Sequence, residues 1–526
     1  MIRRFAADGL AAAALIGLMF AIHDVPSMLT TPYWLDEAWV AAAHRFPLAD
    51  LPSLVATSPL GWAALVRAVP DLSVLRLVPL GFLLVAVIAA YALGRVVGWP
   101  TRQAGILAGL AAGTAVVLLP AQQVRHDLKQ YTADAAVALV ILALVAWTER
   151  RWSRRRLGAL VGLIAVGMLL SHTTAIVAVC AMTGLVVVPL VRRDWPRVIE
   201  AAVAGAAAAL AVLAIYLGVA RRGRTDGLDA YWDAYFPSVA GLPEAAATRL
   251  TELEPYLGLP AGVFLVLSAL GVVTIGRLGR PALALATALV PVAFAAFALL
   301  RLYPLLDLRT SHVLLTIGAA LGGIGLAGLV MAGARRWSTS GAAAPGRAWV
   351  ATAAAAVVVV GALGGYAIAN RQWLRLSASS TGVALPPMYL EDVRTQVEYV
   401  AAHRQPGDVV VVNEMGSYGF ACYWAADAPT WVPSTNAIRW LPAYPDASNI
   451  VVTTARDPSA LQAALHRART LADARDSATI WLIRSHVLEP ERLMWDAALA
   501  DFDVRPLPTG IEPAAVITPR ASGRDP

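Results

Sequence analysis

Apolar runs, each close to the 20 or so residues a helix needs to cross a hydrocarbon core, recur along most of this chain. They read as spans over Phe5–Ile22, Val74–Val97, Ala104–Pro120, Thr132–Trp147, Leu157–Leu170, Thr174–Val191, Val198–Val219, Leu257–Ile275, Ala282–Leu300, Val313–Ala332 and Ala348–Ile368. That is about eleven helices. Composition agrees: 58% of residues are hydrophobic, 15% are charged, and the mean hydropathy is +0.63. A soluble domain is nearer a quarter charged. The stretch from Leu157 to Val191 is too long for one span, so it turns near Ser171-His172-Thr173-Thr174. Below the membrane surface such a turn is tolerated only against protein or a water-filled cavity. The first run begins with Arg3 and Arg4 but is followed by His23-Asp24-Val25-Pro26, not by a small-x-small cleavage site. It therefore reads as an uncleaved anchor.

Arginines in the short loops set the expected orientation. Arg3/Arg4, Arg95/Arg102, the cluster Arg150 to Arg156, Arg192/Arg193/Arg197, Arg277/Arg280 and Arg335/Arg336/Arg347 all fall on one side. That side, with the N-terminus, is expected to be cytoplasmic in a multi-pass plasma-membrane protein. Arg221, Arg222 and Arg224 depart from the pattern; they open a longer loop, where the rule is weaker.

The net charge of +7 does not imply nucleic acid. The basic residues lie in short clusters between apolar runs, and no basic stripe with interleaved aromatics exists. Cys180 and Cys422 are too few and too far apart for a disulfide framework or a cysteine metal site. Among 42 basic residues, Lys129 is the single lysine, and it sits in a polar loop between two spans.

Mixed charge gathers on the opposite, outer side. That face receives Tyr33-Trp34-Leu35-Asp36-Glu37-Ala38-Trp39, then Arg125-His126-Asp127-Leu128-Lys129-Gln130-Tyr131, the turn at His172, and Tyr303 to His312 with Arg309. Carboxylates rarely sit at a membrane edge without a partner or a task. A solvated helix start, with Asp36 and Glu37 at its positive end, is the plainer reading of the first motif. In the first outer loop, Glu37–Phe46 and Leu51–Val69 read as short amphipathic helices lying on the membrane. The aromatic stretch Tyr231 to Pro237 could bind sugar or lipid, but an interfacial belt explains it as well and is the preferred reading.

Composition changes after Ile368. A polar linker (371–388) divides a membrane domain (1–370) from a soluble α/β domain (389–526). In the latter, helices are predicted at Leu390–His403, Pro458–Ala474 and Glu489–Ala500. Strands are predicted at Val409–Val412, Ile450–Thr453 and Thr479–Ile483, and near Val504 and Val516. No phosphate-cradling glycine motif is present.

Carboxylates and cations at a lipid–water boundary suit transfer of a group from a lipid-linked phosphate to a hydroxyl. One carboxylate takes the acceptor's proton, and cations stabilise charge on the departing phosphate. On these residues the chain resembles the GT-C glycosyltransferases, integral membrane enzymes that use polyprenyl-phosphate sugars. It is most similar to their bacterial mannosyltransferase and aminoarabinose-transferase-like branch. The motifs that carry the resemblance are Tyr33 to Trp39, Lys129 to Tyr131, Ser171-His172-Thr173, Tyr303-Pro304 with Arg309 and His312, and the soluble C-terminal domain.

The resemblance implies a mainly α, GT-C-like polytopic bundle with an extracytoplasmic α/β domain. It also implies an inverting transfer from a polyprenyl-phosphate donor to a cell-envelope glycan, lipid or protein. Asp36 would be the base. Glu37, about 100° away on a helix, would position the acceptor or a loop cation. Lys129, Arg309 and Arg125 would meet the donor phosphate, with His126, Asp127, Tyr131, His172 and His312 as further site candidates. No ligand spacing demands a metal or other cofactor. A non-catalytic scaffold with an outer binding domain would leave the mixed-charge loops without a purpose. A transporter would place charges near mid-span and show a repeat, whereas charges here fall mainly at span ends and no repeat is seen.

Overall fold

The computed structural model describes residues 2–54, 58–223, 230–339, 347–374, 391–434, 438, 440–454, 458–474, 478–510 and 512–520. Eleven long helices form the membrane domain: α1 (Ile2–Ile22), α4 (Leu77–Val96), α5 (Arg102–Leu118), α6 (Tyr131–Arg150), α7 (Arg154–Leu170), α8 (Thr174–Val191), α9 (Trp195–Gly218), α10 (Ala261–Arg277), α11 (Pro281–Leu299), α12 (His312–Thr339) and α13 (Arg347–Ala369). Between α1 and α4 lie shorter ones, among them α2 (Leu35–Ala41) and α3 (Leu60–Ala68). Each expected span therefore has its helix. Seven of them are long and apolar enough to cross a membrane, and Ala6–Ile22, α5 and α10 are shorter apolar helices.

Small residues let these helices approach closely, as membrane bundles require. A Cβ at Gly323 of α12 would fall 2.5 Å from Ala111 O of α5, and one at Gly325 would fall 2.5 Å from Leu267 O of α10. α9 is the opposite case. It leaves Ile199, Val203 and Leu210 more than half exposed, as a lipid-facing helix would.

The C-terminal domain runs α14 (Val393–His403), β1 (Val409–Val412), α15 (Glu414–Tyr423), β2 (Thr430–Pro433), β3 (Trp440–Ala443), β4 (Ile450–Val452), α16 (Pro458–Asp473), β5 (Ile480–Ile483), α17 (Glu489–Ala498), β6 (Phe502–Pro506) and β7 (Ala515–Pro519). Its sheet has the order β4-β1-β5-β7-β6. β1 pairs in parallel with β4 and β5, while β7 pairs antiparallel with β5 and β6. The central strands β1 and β5 are buried at every position, which suits an apolar Val/Ile run with helices on both faces. α15 and the β2–β3 hairpin were not legible in sequence. Of the polar linker, 371–374 form a short helical turn, and 375–388 lie outside the described residues.

Glu37–Phe46 in the loop after α1, expected to lie on the membrane, is packed against the α/β domain instead. α2 and the turn after it are buried beneath the α/β domain, with Ala38 to Ala43 packed among Tyr418, Cys422 and Trp440. The physical reason is that this segment is apolar on all sides after Glu37, so it needs cover all round. Phe46 meets the rings of Trp431 and Trp440 edge-on at 4.6 and 4.7 Å. Backbone is tied as well: Tyr33 N donates to Tyr423 Oη at 2.8 Å, and Arg45 donates to Trp424 O at 2.6 Å.

Candidate active site

Asp36 stands in the first turn of α2, and its helix geometry separates it from its neighbour. Glu37 turns inward, where its carboxylate is paired with the guanidinium of Arg76 and also accepts from Leu128 N at 3.0 Å. Arg76 in turn donates to the carbonyls of Met28, Thr31 and Pro32 at 2.6–2.9 Å. This buried pair therefore fixes the loop after α1 to the start of α4 and to the loop carrying Lys129.

Asp36 turns the other way, into a cavity of about 1490 Å³. Its carboxylate is ion-paired with Arg309, lies 3.6 Å from Lys129 Nζ, and accepts from Trp39 Nε1 at 3.3 Å. Both cations rest on aromatic faces: Lys129 Nζ lies 3.9 Å from the Trp39 ring centre, and the Arg309 guanidinium 5.5 Å from that of Trp34. The loop holding Arg309 is shaped by Asp307, whose carboxylate accepts from the backbone N–H groups of Arg309 and Thr310. Arg309 also donates to Tyr231 Oη at 3.0 Å.

Electrostatics follow from this packing. Burial would push the Asp36 carboxyl up, but Lys129 and then Arg309 outweigh it and hold it below the usual carboxylate range. Burial lowers the Lys129 ammonium, with Asp36 opposing. Asp127, buried beside Glu37 and Asp36, is pushed up.

The cavity has two characters. Around Asp36 it is polar, with Lys129, Tyr131, His172 and Arg309. Away from it the walls are apolar and come from α7, α8 and α9, with Met168, Ile176, Met182, Val186 and Val212 among them. Tyr231, Trp232 and Phe236 line this cavity, where the sequence left sugar or lipid contact open beside an interfacial belt.

Five of the sequence candidates do not line it. Glu37 is spent on Arg76. Arg125, expected at the donor phosphate, is fully buried and donates to the carbonyls of Val116 and Val117. His126 shares a 2.7 Å hydrogen bond with His23. Asp127 accepts from Lys129 N at 3.1 Å and so shapes the Lys129 loop. His312 caps into α12 beside Thr316. Among the described residues, no group of three or more His, Cys, Asp or Glu is placed to hold a metal ion.

Three contributors were missed. Asp134 lies one turn along α6 from Tyr131 and lines the cavity; an acidic residue inside an apolar span was the available signal. His486 and Glu491 reach the cavity from the α/β domain, and no local motif marked them.

Solved structures share this architecture. ArnT from Cupriavidus metallidurans bound to undecaprenyl phosphate aligns with a TM-score of 0.52 and 15% identity, covering 98% of each chain. The Archaeoglobus fulgidus oligosaccharyltransferase tethered with an acceptor peptide aligns at 0.51 and 11%, covering 98% of this chain and 74% of that one. The oligosaccharyltransferase AglB from the same organism, in complex with an inhibitory peptide and a dolichol-phosphate, aligns at 0.50 and 13%, covering 99% and 74%. No family model and no curated protein matches the sequence. The chain is a multi-pass membrane protein with a GT-C-like fold, the fold it shares with ArnT and the Archaeoglobus fulgidus oligosaccharyltransferase.

Proposed function

We propose that this protein is a glycosyltransferase that moves a sugar from a polyprenyl-phosphate donor to a hydroxyl acceptor, with inversion, at the outer face of the plasma membrane. The observation that carries the reading is Asp36: one carboxylate held by two cations at the polar head of a long apolar cavity. Structural neighbours bound to undecaprenyl phosphate and to a dolichol-phosphate support the donor class.

In this reading the prenyl chain lies along the apolar walls of α7, α8 and α9, and its phosphate reaches Arg309 and Lys129. Arg309 offers a planar fork suited to two phosphate oxygens, and Lys129 a compact charge. The phosphate then competes with Asp36 for both cations. Losing them leaves burial to dominate, so the Asp36 carboxylate becomes more basic when the donor arrives. The acceptor hydroxyl gives its proton to Asp36 while its oxygen attacks the anomeric carbon. The carbon–oxygen bond to phosphate breaks, and polyprenyl phosphate leaves with charge stabilised by Arg309 and Lys129. Glu37, through Arg76, keeps the Asp36 and Lys129 loops in register.

The test is reconstitution of the full chain in liposomes with radiolabelled polyprenyl-phosphate sugars and envelope extract. Label should pass from the prenyl phosphate to a glycan, lipid or protein. Label that stays on the lipid for every donor would contradict the reading.

A further inference from the structure

The α/β domain meets the cavity with one particular edge of its sheet. The chain leaves β1 toward β4 but leaves β5 toward β7 and β6. Connections that part in opposite directions open a crevice at the carboxyl ends of the two strands, which is where open α/β sheets bind ligands. Asn413 follows β1, and Ser485 and His486 follow β5. Asn413 Nδ2 donates to Ser485 O at 2.9 Å and to Glu491 Oε1 at 3.0 Å, and Ser485 N donates back to Asn413 Oδ1 at 3.0 Å. The floor of the crevice is thus closed by hydrogen bonds. His486 and Glu491 stand at its mouth and line the same cavity as Asp36.

His486 is held from several sides. Its Nδ1 is hydrogen-bonded to Glu391 Oε1 at 2.5 Å, and its backbone N–H donates to Glu512 Oε1 at 2.9 Å. The other oxygen of Glu391 accepts from Leu35 N at 2.7 Å, one residue before Asp36. Glu391 therefore ties the imidazole to the start of the helix that carries Asp36. His486 also has a φ of +54°, a left-handed backbone that costs energy for a residue with a side chain and recurs at ligand-binding sites. With Nδ1 committed, Nε2 is the imidazole nitrogen with no hydrogen-bond partner among the described residues. Met415, Leu488 and Met494 give the wall beside it an apolar surface, and no lysine or arginine of this domain lines it among the described residues.

We infer that His486 is an acceptor-binding residue contributed by the α/β domain, and that the acceptor is an uncharged, sugar-type molecule. Nε2 hydrogen-bonds one of its hydroxyls while another is presented to Asp36. The Met and Leu side chains suit the apolar face of a sugar ring, and the carboxylate of Glu491 would disfavour an anionic acceptor, which finds no lysine or arginine of this domain on the wall among the described residues. Glu391 is a positioning residue that acts through the imidazole. This inference rests on the glycosyltransferase reading above.

The experiment uses the full chain in liposomes, a radiolabelled polyprenyl-phosphate sugar that the wild type consumes, and octyl glycosides as acceptors, each neutral or carrying a phosphate monoester. His486→Ala should raise the acceptor KM at least tenfold, with thermal protection by undecaprenyl phosphate unchanged, which also shows that the variant folds. His486→Gln, whose amide reaches the place of Nε2, should stay within about threefold of wild type. His486→Asn, whose amide stops at the place of Nδ1, should behave like the alanine variant. Glu391→Gln should raise the acceptor KM and leave donor KM alone. An unchanged acceptor KM in His486→Ala, or a preference for the phosphorylated glycosides, would overturn the inference while leaving the glycosyltransferase reading standing. Absence of transfer by the wild type from every donor would remove that reading, and the inference with it.

Discussion

Arg309 reaches Asp36 from 273 positions away in the chain and closes an ion pair on its carboxylate. Lys129 approaches the same oxygen from a third loop, 3.6 Å away. The site therefore exists only when the loops after α1, α5 and α11 are all docked. One carboxylate is shared by two cations in the free protein, and a phosphate would compete with it for both.

Replacing Asp36 tests the base. Asp36→Asn keeps size and hydrogen bonding but cannot take a proton, and loss of a general base typically lowers rate by about 10²–10⁴. Label transfer should fall by that much, with expression and membrane insertion intact. Transfer near the wild-type rate would remove Asp36 from the role.

The two cations should govern the donor. A hydrogen bond to a charged group contributes roughly 1.5–3 kcal/mol, so Arg309→Ala should raise donor KM by about tenfold to a hundredfold. Arg309→Lys should recover part of this, since charge is kept and the fork is lost. Titration of undecaprenyl phosphate against thermal stability gives the same comparison without turnover. An unchanged donor dependence would move the phosphate elsewhere.

Acid should act differently on the two kinetic parameters. A base must be unprotonated, so rate falls as pH drops through its pKa. In the free protein Lys129 and Arg309 hold Asp36 low despite burial. The acid limb of kcat/KM, which reports the free enzyme, should therefore lie below the ordinary Asp value of about 3.9. With donor bound and the cations drawn to phosphate, the acid limb of kcat should lie higher. A kcat limb at or below that of kcat/KM would contradict the displacement.

Glu37 and Arg76 carry a structural expectation. Breaking a buried ion pair by removing one partner costs about 3–5 kcal/mol, whereas replacing both with apolar residues of similar size is often close to neutral. Glu37→Ala should lower the melting temperature in detergent sharply, and the double variant Glu37→Met with Arg76→Met should recover much of the loss. A single variant as stable as wild type would show that the pair does not hold the loops.

Much of this was legible because membrane helices announce themselves. The eleven long helices fall where the apolar runs do, since a bilayer imposes one length and one period on each. Asp36 and Glu37 could be separated by helix geometry alone, as neighbours point about 100° apart. Arg76 was hidden because it sits at the head of an apolar run and was absorbed into the span Val74–Val97. Arg76 is buried there against the Glu37 carboxylate, a partner 39 positions away that no local pattern marks. Arg125 misled in the opposite sense: its place in a polar loop suggested phosphate, yet it turns inward onto carbonyls of α5. α15 escaped notice because two glycines depress its helix propensity. One of them is needed there, since a Cβ at Gly419 would meet Val393 Cβ at 2.9 Å. His486 and Glu391 lie 95 positions apart, and only the folded domain brings them together.

The direct measurement is a structure with undecaprenyl phosphate bound. The phosphate should lie within hydrogen-bond distance of Arg309 and Lys129, with the prenyl chain along α8 and α9 and the Asp36 carboxylate released from Arg309. A phosphate bound elsewhere, or an Asp36–Arg309 pair left intact beside it, would contradict the central claim.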